Sequence, residues 1–151
     1  MTEGDRVKVW LREGEEVESL WATPVGPSLY QLNNTPFWAY GFSWNDTVKA
    51  VPSPDGTLDV TGVVTKGGHR TVRVFFEGEF AEQGRIDAVL AEINARGASY
   101  EGMNRVYVAL DLPPAASLQE IAAYLTREGV KWEFADPPFE EVDPTDHPAP
   151  G

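Results

Sequence analysis

The sequence predicts an α+β protein, in which a small N-terminal antiparallel β-barrel-like lobe precedes a ferredoxin-like lobe (split βαβ, order β-α-β-β-α-β). Two observations predict this fold. The first 66 residues contain five short alternating apolar segments, separated by turns rich in glycine, proline and asparagine. Beyond residue 70, four such segments alternate with two stretches of helical period. We therefore predict lobes at residues 1–66 and 67–135, then an acidic, proline-rich disordered tail at residues 136–151.

The first lobe is predicted to be all β because its apolar residues recur with a period of two and never with a helical period. The strands are predicted at residues 7–11, 17–23, 29–32, 47–51 and 58–65. The sequence Pro54-Asp55-Gly56 between the last two is typical of a hairpin turn. Strands this short predict a curled sheet or an SH3-sized barrel.

The second lobe is predicted to alternate strands and helices. Strands are expected at residues 71–77, 99–101, 105–112 and 130–134, with a turn at residues 102–104. A helix over residues 86–93 follows from apolar residues at i, i+3, i+4 and i+7, and Gly97 would end it in a left-handed conformation. Ser117 and Glu120 have the spacing of a capping box, which begins a helix running to Gly129. This order predicts a four-stranded antiparallel sheet with both helices on one face.

The composition limits the classes of function. The formal net charge is −12, so neither a nucleic acid nor an anionic membrane is an expected partner, whereas a basic protein surface would be attracted. The chain has no apolar run of the roughly 20 residues that span a bilayer and no signal peptide, so we expect a cytoplasmic protein. The absence of cysteine excludes disulfides and thiolate chemistry. We expect no metal and no cofactor, since the sequence contains no metal-ligand spacing, phosphate loop or dinucleotide motif. The sequence does not define the oligomeric state.

His69 is the first candidate for a functional residue, together with Arg70 and Arg73. A histidine that follows two glycines can be held with one ring nitrogen free, which suits general acid–base chemistry near neutral pH. Arg73 and Thr71 share a strand face and could together hold a carboxylate or a phosphate. In the alternative interpretation, His69 caps a turn with its ring bonded to the backbone, and Arg73 pairs with an acid.

The segment from Pro36 to Asp46 is the second candidate because it is rich in aromatic residues. If the segment is extended, alternation places Trp38, Tyr40, Phe42 and Trp44 on one side, and exposed aromatics of this kind contact proteins or planar ligands. Trp38, Tyr40 and Trp44 are therefore candidate ligand- or partner-binding residues. The alternative is that these aromatic rings close the mouth of a small barrel.

Glu101 is the third candidate. A carboxylate near His69 could orient the imidazole, so that the two residues form an acid–base dyad. The alternative is a solvated glutamate on an edge strand, where its charge discourages aggregation.

Several motifs resemble a known family. Gly41, Ser43, Asp46 and Val48 match the form Gly-x-Ser-x-Gly-Asp-x-Val, with Asn45 in place of the second glycine. Residues 68–73 match the form Gly-His-x-Thr-x-Arg. From about residue 7 to residue 134, the chain is similar to the bacterial domain of unknown function 4265 family. The resemblance implies a family but no activity.

Two functions follow from these observations. The first is a non-catalytic binding or regulatory module, which takes a protein partner or a small molecule at the seam between the lobes. The second is a small cofactor-independent enzyme (an isomerase, cyclase or hydrolase) with His69 as general acid or base and Glu101 beside it. A pocket of roughly 300–1,000 Å³ with His69 in its wall would favour the enzyme.

Overall fold

The computed structural model describes residues 5–138, which form two β-sheets and two helices. The first five strands are β1 (Val7–Glu13), β2 (Glu16–Gly26), β3 (Leu29–Leu32), β4 (Thr47–Pro52) and β5 (Leu58–Thr65). They form a closed barrel in the order β1-β2-β3-β4-β5. Neighbouring strands are antiparallel, but β1 and β5 close the barrel as a parallel pair at Trp10 and Asp59. The inward side chains fill the barrel with a small core: Val9, Leu11, Leu20, Ala22, Leu32, Ala39, Val48 and Ala50.

The second sheet consists of β6 (Arg70–Phe75), β7 (Ser99–Asn104), β8 (Tyr107–Leu112) and β9 (Lys131–Asp136), in the spatial order β7-β8-β6-β9. All its neighbouring strands are antiparallel. Helix α1 (Gln83–Ala95) follows β6 and helix α2 (Leu118–Glu128) follows β8. Both helices share one apolar core with the same face of the sheet, through residues such as Val72, Ile93, Leu110 and Ile121. The predicted α+β fold is therefore confirmed as a five-stranded barrel and an antiparallel sheet with two helices.

The local signals at the helix ends act as predicted. Gly97 follows α1 with a φ of 94°, a conformation that glycine adopts without strain. The Ser117 side chain accepts a hydrogen bond from the Glu120 backbone N–H at 3.1 Å, which caps α2. None of the helices among residues 5–138 is long and apolar enough to cross a bilayer.

Several strand ends differ from the prediction by one to three residues, and three of these differences concern the site or a predicted turn. β2 continues through Pro24 to Gly26, since a register shift there tolerates a residue without an N–H. β7 runs to Asn104, and the turn falls at residues 105–106 because the Asn104 side chain accepts from the Val106 N–H at 2.9 Å. Asp136, the first residue of the predicted tail, belongs to β9 and pairs with Thr71. Residues 139–151 of that tail lie outside the described residues.

The connecting loop, residues 33–46 between β3 and β4, covers the face of the second sheet that the helices leave open. Thr71 and Arg73 of β6 and Tyr107 of β8 all hydrogen-bond to this loop. The barrel and the second sheet therefore meet across the connecting loop, and the seam between them contains the side chains of the candidate site except Arg70.

Candidate functional site

The connecting loop is not extended, so the predicted alternation of its aromatic residues is wrong. Its backbone follows bends and turns, and Asn45 has a left-handed φ of 71°. Trp38 packs against Tyr107 with ring centroids 5.3 Å apart, whereas Trp44 packs edge-on against His69 at 5.0 Å. Tyr107 and Asp111, which contacts His69, are four residues apart on β8, or about 13 Å. The aromatic residues therefore contact opposite ends of the seam and do not form one surface.

Charged side chains bind both the N–H groups and the carbonyl oxygens of the loop backbone. The Glu18 carboxylate of β2 accepts from the N–H groups of Phe37, Trp38 and Ala39 at 2.8–2.9 Å. Arg73 donates to the carbonyl oxygens of Pro36, Trp38 and Ala39. Because buried backbone groups need partners, these bonds allow an irregular loop to lie inside the seam.

Arg73 is only 1% exposed, and its guanidinium is occupied by the loop carbonyls and by Glu133 at 3.7 Å. The side chain is therefore not available to hold a carboxylate or phosphate ligand with Thr71. Its cation also lies 5.0 Å from the Tyr40 ring, whose hydroxyl donates to Glu133 at 3.0 Å. Burial and the hydrogen bond to Glu133 raise the pKa of Tyr40. Tyr40 and Arg73 thus belong to the framework at the Tyr107 end of the seam.

Arg70 is also placed in a structural position. Its guanidinium donates to the carbonyl oxygens of Pro113 (2.8 Å) and Ala116. These bonds hold the segment that leads into α2, on the helical side of the sheet. The Arg70 side chain therefore does not belong to the same site as that of His69, its neighbour in the sequence.

Tyr107 yields a prediction about titration. Its hydroxyl donates to the Phe37 carbonyl, and burial raises the pKa of Tyr107 to about 12. The neutral phenol is thus favoured by folding, and this contribution to stability is full below the ordinary pKa near 10 and is lost as the pH rises toward 12. We expect a tyrosinate absorbance step near pH 12 in the native protein that Tyr107→Phe removes. Removal of a step near pH 10 instead would contradict the buried position of this hydroxyl.

A second polar cluster lies where the connecting loop enters β4. Asp46 is fully buried and accepts from the N–H groups of Ser43 (2.8 Å) and Gly67 (2.9 Å), which gives it a structural role. Lys66 donates to Asp46 at 2.5 Å and also to Asp136. The Ser43 hydroxyl bonds to Asp136 and to Thr71, 2.8 Å away. The cluster therefore joins the barrel to β6 and β9.

His69 lies at the end of the seam away from Tyr107, and its hydrogen-bond partner is Asp111. The His69 Nδ1 and Asp111 Oδ1 atoms are 2.8 Å apart, and the imidazole is 8% exposed. The other ring nitrogen, Nε2, lies 3.5 Å from the side-chain amide nitrogen of Asn45. Burial raises the pKa of Asp111, while the hydrogen bond from His69 acts in the opposite direction. The ring is thus held by a carboxylate and not by the backbone.

The two glycines before His69 are required for different reasons, Gly67 by the close packing of the connecting loop and Gly68 by its backbone conformation. A Cβ atom at Gly67 would lie 2.4 Å from the Asn45 carbonyl oxygen, and Gly68 has a φ of 91°. A side chain at either position would displace the loop or strain the backbone. This close approach brings Asn45 and Trp44 against the imidazole.

Glu101 is not the residue beside His69, although the expectation of a carboxylate there is met by Asp111. Glu101 accepts from the Asn34 side-chain amide at 3.0 Å and from the Thr35 N–H. It therefore connects β7 to the barrel lobe. Glu101 pairs with Ala109 and Ser99 pairs with Asp111, so the two carboxylates lie on one face of neighbouring strands.

The seam cleft lies between these carboxylates and the connecting loop. It has a volume of about 210 Å³ and is lined by Asn33, Thr35, Trp44, Ser99, Glu101 and Asp111. Trp44 is 36% exposed at its rim. No three histidine, aspartate or glutamate side chains converge as metal ligands anywhere in residues 5–138.

Sequence reasoning missed Asp111, Asn45 and Ser99. Asp111 carried a signal, because it is the one charged residue in β8 (Tyr107–Leu112), an otherwise apolar run. Such an aspartate must find a partner, but only the pairing of β6 with β8 determines that the partner is His69.

The fold and the site define an α+β domain, in which an open acidic cleft with an aromatic rim lies between a five-stranded barrel and a four-stranded sheet. The chain belongs to the family described as a domain of unknown function (DUF4265), whose profile matches residues 18–134. The crystal structure of a hypothetical protein from Neisseria gonorrhoeae has a similar fold, with a TM-score of 0.75 and 16% identity, over 91% of this chain and 99% of that chain. No curated protein matches the sequence.

Proposed function

We propose that this protein is a non-catalytic binding module, and that its seam cleft receives a lysine or arginine side chain of a protein partner. The observation that carries the proposal is the charge of the cleft. Glu101 and Asp111 both line it, and within the described residues neither forms a salt bridge with a lysine or arginine. A half-buried glutamate and a buried aspartate (5% exposed) that have no lysine or arginine partner favour a cationic ligand.

Both carboxylates retain the capacity to accept a ligand's hydrogen bonds. An ionised carboxylate offers about four acceptor sites. Glu101 uses two of them for Asn34 and Thr35, and Asp111 uses one for His69 and a long contact of 3.5 Å with Ser99. Burial is the main cause of the raised pKa of Asp111; His69 and the hydrogen bond from Ser99 lower this pKa, and repulsion by the charge of Glu101 raises it by the smallest contribution. A bound ammonium or guanidinium group would relieve this repulsion.

Trp44 provides the aromatic part of such a site. Its indole is held edge-on against His69 and is exposed at the rim of the cleft. An indole is the best of the aromatic rings for binding a cation, and the interaction is worth about 0.5–2 kcal/mol. An indole beside two carboxylates is therefore suited to the cationic end of a long side chain.

The size of the cleft favours a side chain over a metabolite. Its volume of about 210 Å³ lies below the range of about 300–1,000 Å³ that holds drug-sized ligands. One lysine or arginine side chain fits such a volume, while the rest of the partner would lie outside it. The net charge of −12 would attract a basic partner surface.

An acid–base enzyme is the second candidate function, and the 2.8 Å bond between His69 and Asp111 is the observation that favours it. An oriented imidazole of this kind serves as a general base in many enzymes. However, the ring is over nine-tenths buried, and its Nε2 atom faces the Asn45 amide. We therefore assign His69 to positioning Trp44 and Asp111.

We also propose that the second lobe is ferredoxin-like. The order β7-β8-β6-β9, with helices after β6 and β8, supports a split βαβ arrangement. In this arrangement the helices cover one face, and the other face is open to carry a site. Here that open face carries Asp111, Arg73 and Tyr107.

The proposal predicts selective binding of a basic peptide. We expect acetyl-Gly-Lys-Gly-amide to shift the Trp44 indole resonance of ¹⁵N-labelled protein, and acetyl-Gly-Glu-Gly-amide to leave it unchanged. Glu101→Gln and Asp111→Asn retain the shape and one acceptor oxygen, and each should weaken binding about fivefold because one charge is lost. The affinity should also fall as salt is added.

The matched control is Glu79→Gln, which removes an exposed charge from the 3₁₀ turn at Gly78–Ala81, outside the cleft. If this variant weakens binding as much as Glu101→Gln, the peptide responds to net charge alone and the cleft is not a site. Equal shifts from the lysine and glutamate peptides would also contradict the proposal.

A further inference from the structure

A second unusual surface lies on the outside of the barrel, away from the seam cleft. Val9 and Leu11 of β1 point into the barrel core, so alternation places Lys8, Trp10 and Arg12 outside. On β2, Trp21 pairs with Lys8, and Val17 pairs with Arg12. We call this surface the β1–β2 face, and it also includes Arg6. It combines basic, aromatic and aliphatic side chains on a protein with a net charge of −12.

The basic side chains of the β1–β2 face differ in whether they form a salt bridge. Arg12 pairs with Asp59 at 3.4 Å, and hydrogen bonds from Thr57 and Arg12 lower the pKa of Asp59 although partial desolvation acts the other way. Arg6 and Lys8 are exposed, and the salt bridges of residues 5–138 include neither. The positive end of the face is therefore at Arg6 and Lys8.

Both of these cations lie on the Trp21 ring. The distances to its centroid are 5.3 Å from Arg6 and 4.6 Å from Lys8, so less than about 10 Å separates two like charges. The indole itself is 38% exposed. At physiological salt, charges beyond about 8 Å are largely screened, so a ligand on this ring responds to Arg6 and Lys8 more than to distant acids.

We infer that the β1–β2 face binds an acidic peptide segment that also carries apolar side chains. Carboxylates of the segment would neutralise Arg6 and Lys8, and its apolar side chains would cover the exposed parts of Trp21 and Val17. A nucleic acid fits the face less well, because two unpaired cations give few phosphate contacts and the exposed Val17 offers nothing to a phosphate. This inference is independent of the seam cleft, since the two surfaces share no side chain.

The test uses the full chain and two synthetic peptides, acetyl-Glu-Phe-Glu-Val-Glu-amide and its glutamine counterpart. We expect the glutamate peptide to shift the Trp21 indole resonance, and Arg6→Gln or Lys8→Gln to weaken its binding about fivefold each. Lys49→Gln is the matched control. Lys49 is an exposed residue of β4, on the opposite side of the same barrel, and its loss should leave the affinity unchanged.

Three results would overturn the inference. Equal binding of the glutamine and glutamate peptides would show that charge does not contribute to binding. Equal weakening by Lys49→Gln would show a response to net charge without a site. Displacement of the glutamate peptide by a short oligonucleotide at lower concentration would assign the face to a polyanion.

Discussion

Replacing Arg73 by methionine is expected to lower the free energy of unfolding by about 3 kcal/mol or more. The guanidinium is the shared donor for the carbonyl oxygens of Pro36, Trp38 and Ala39, inside the seam. Methionine fills much of the same volume but donates nothing, so these acceptors would be buried without a partner. Urea unfolding, followed by far-ultraviolet circular dichroism, measures the change.

Two variants separate this effect from a general loss of charge. Arg73→Lys keeps the charge but cannot reproduce the planar set of donors, so we expect an intermediate loss of stability. Arg70→Met removes a half-buried arginine that donates to two carbonyls outside the seam, and it should cost less. An unfolding free energy of Arg73→Met within about 0.5 kcal/mol of the native value would contradict the role of Arg73 in holding the loop.

Replacing Asp46 by alanine is the second large effect, and we expect a loss of about 3 kcal/mol. The carboxylate accepts from Ser43, Gly67 and Lys66, and it is fully buried. Without it, two backbone N–H groups lose their acceptor and Lys66 retains only Asp136 and the Gly41 carbonyl. Thermal and urea unfolding of the variant give the free-energy change.

Asp46→Asn keeps an acceptor oxygen and should be clearly less destabilised than Asp46→Ala. Asp55→Ala, in the exposed hairpin between β4 and β5, serves as the control and should change stability by less than about 0.5 kcal/mol. If Asp46→Ala is as mild as Asp55→Ala, the cluster that joins the barrel to β6 and β9 does not stabilise the protein.

The order of elements could be predicted from the sequence because it depends on local signals. The apolar period of the stretch from Ile86 to Ile93 and the cap at Ser117 act within a few residues of chain, and both helices form where these signals lie. The ends of β2 and β7 were harder to predict because a register shift in the pairing determines each of them. Register depends on the partner strand, which a local pattern does not describe.

The candidate site was predicted less completely, since it depends on contacts between distant residues. The sequence suggests that a carboxylate could orient His69 and offers Glu101 for this role, but the register of β6, β7 and β8 places Asp111 there instead. Arg73 is a candidate ligand-binding residue in the sequence because it shares a strand face with Thr71, so that the two could hold a carboxylate or a phosphate. Its burial follows from the loop carbonyls that surround it, a feature of the backbone that no side-chain pattern records.

The most direct measurement for the central proposal is a search for nuclear Overhauser effects between the ¹⁵N-labelled protein and acetyl-Gly-Lys-Gly-amide. We expect contacts from the lysine ε-methylene protons to the Trp44 indole, together with a fall in the pKa of Asp111 on binding. Contacts only to residues outside the seam cleft, with the Asp111 titration unchanged, would contradict it.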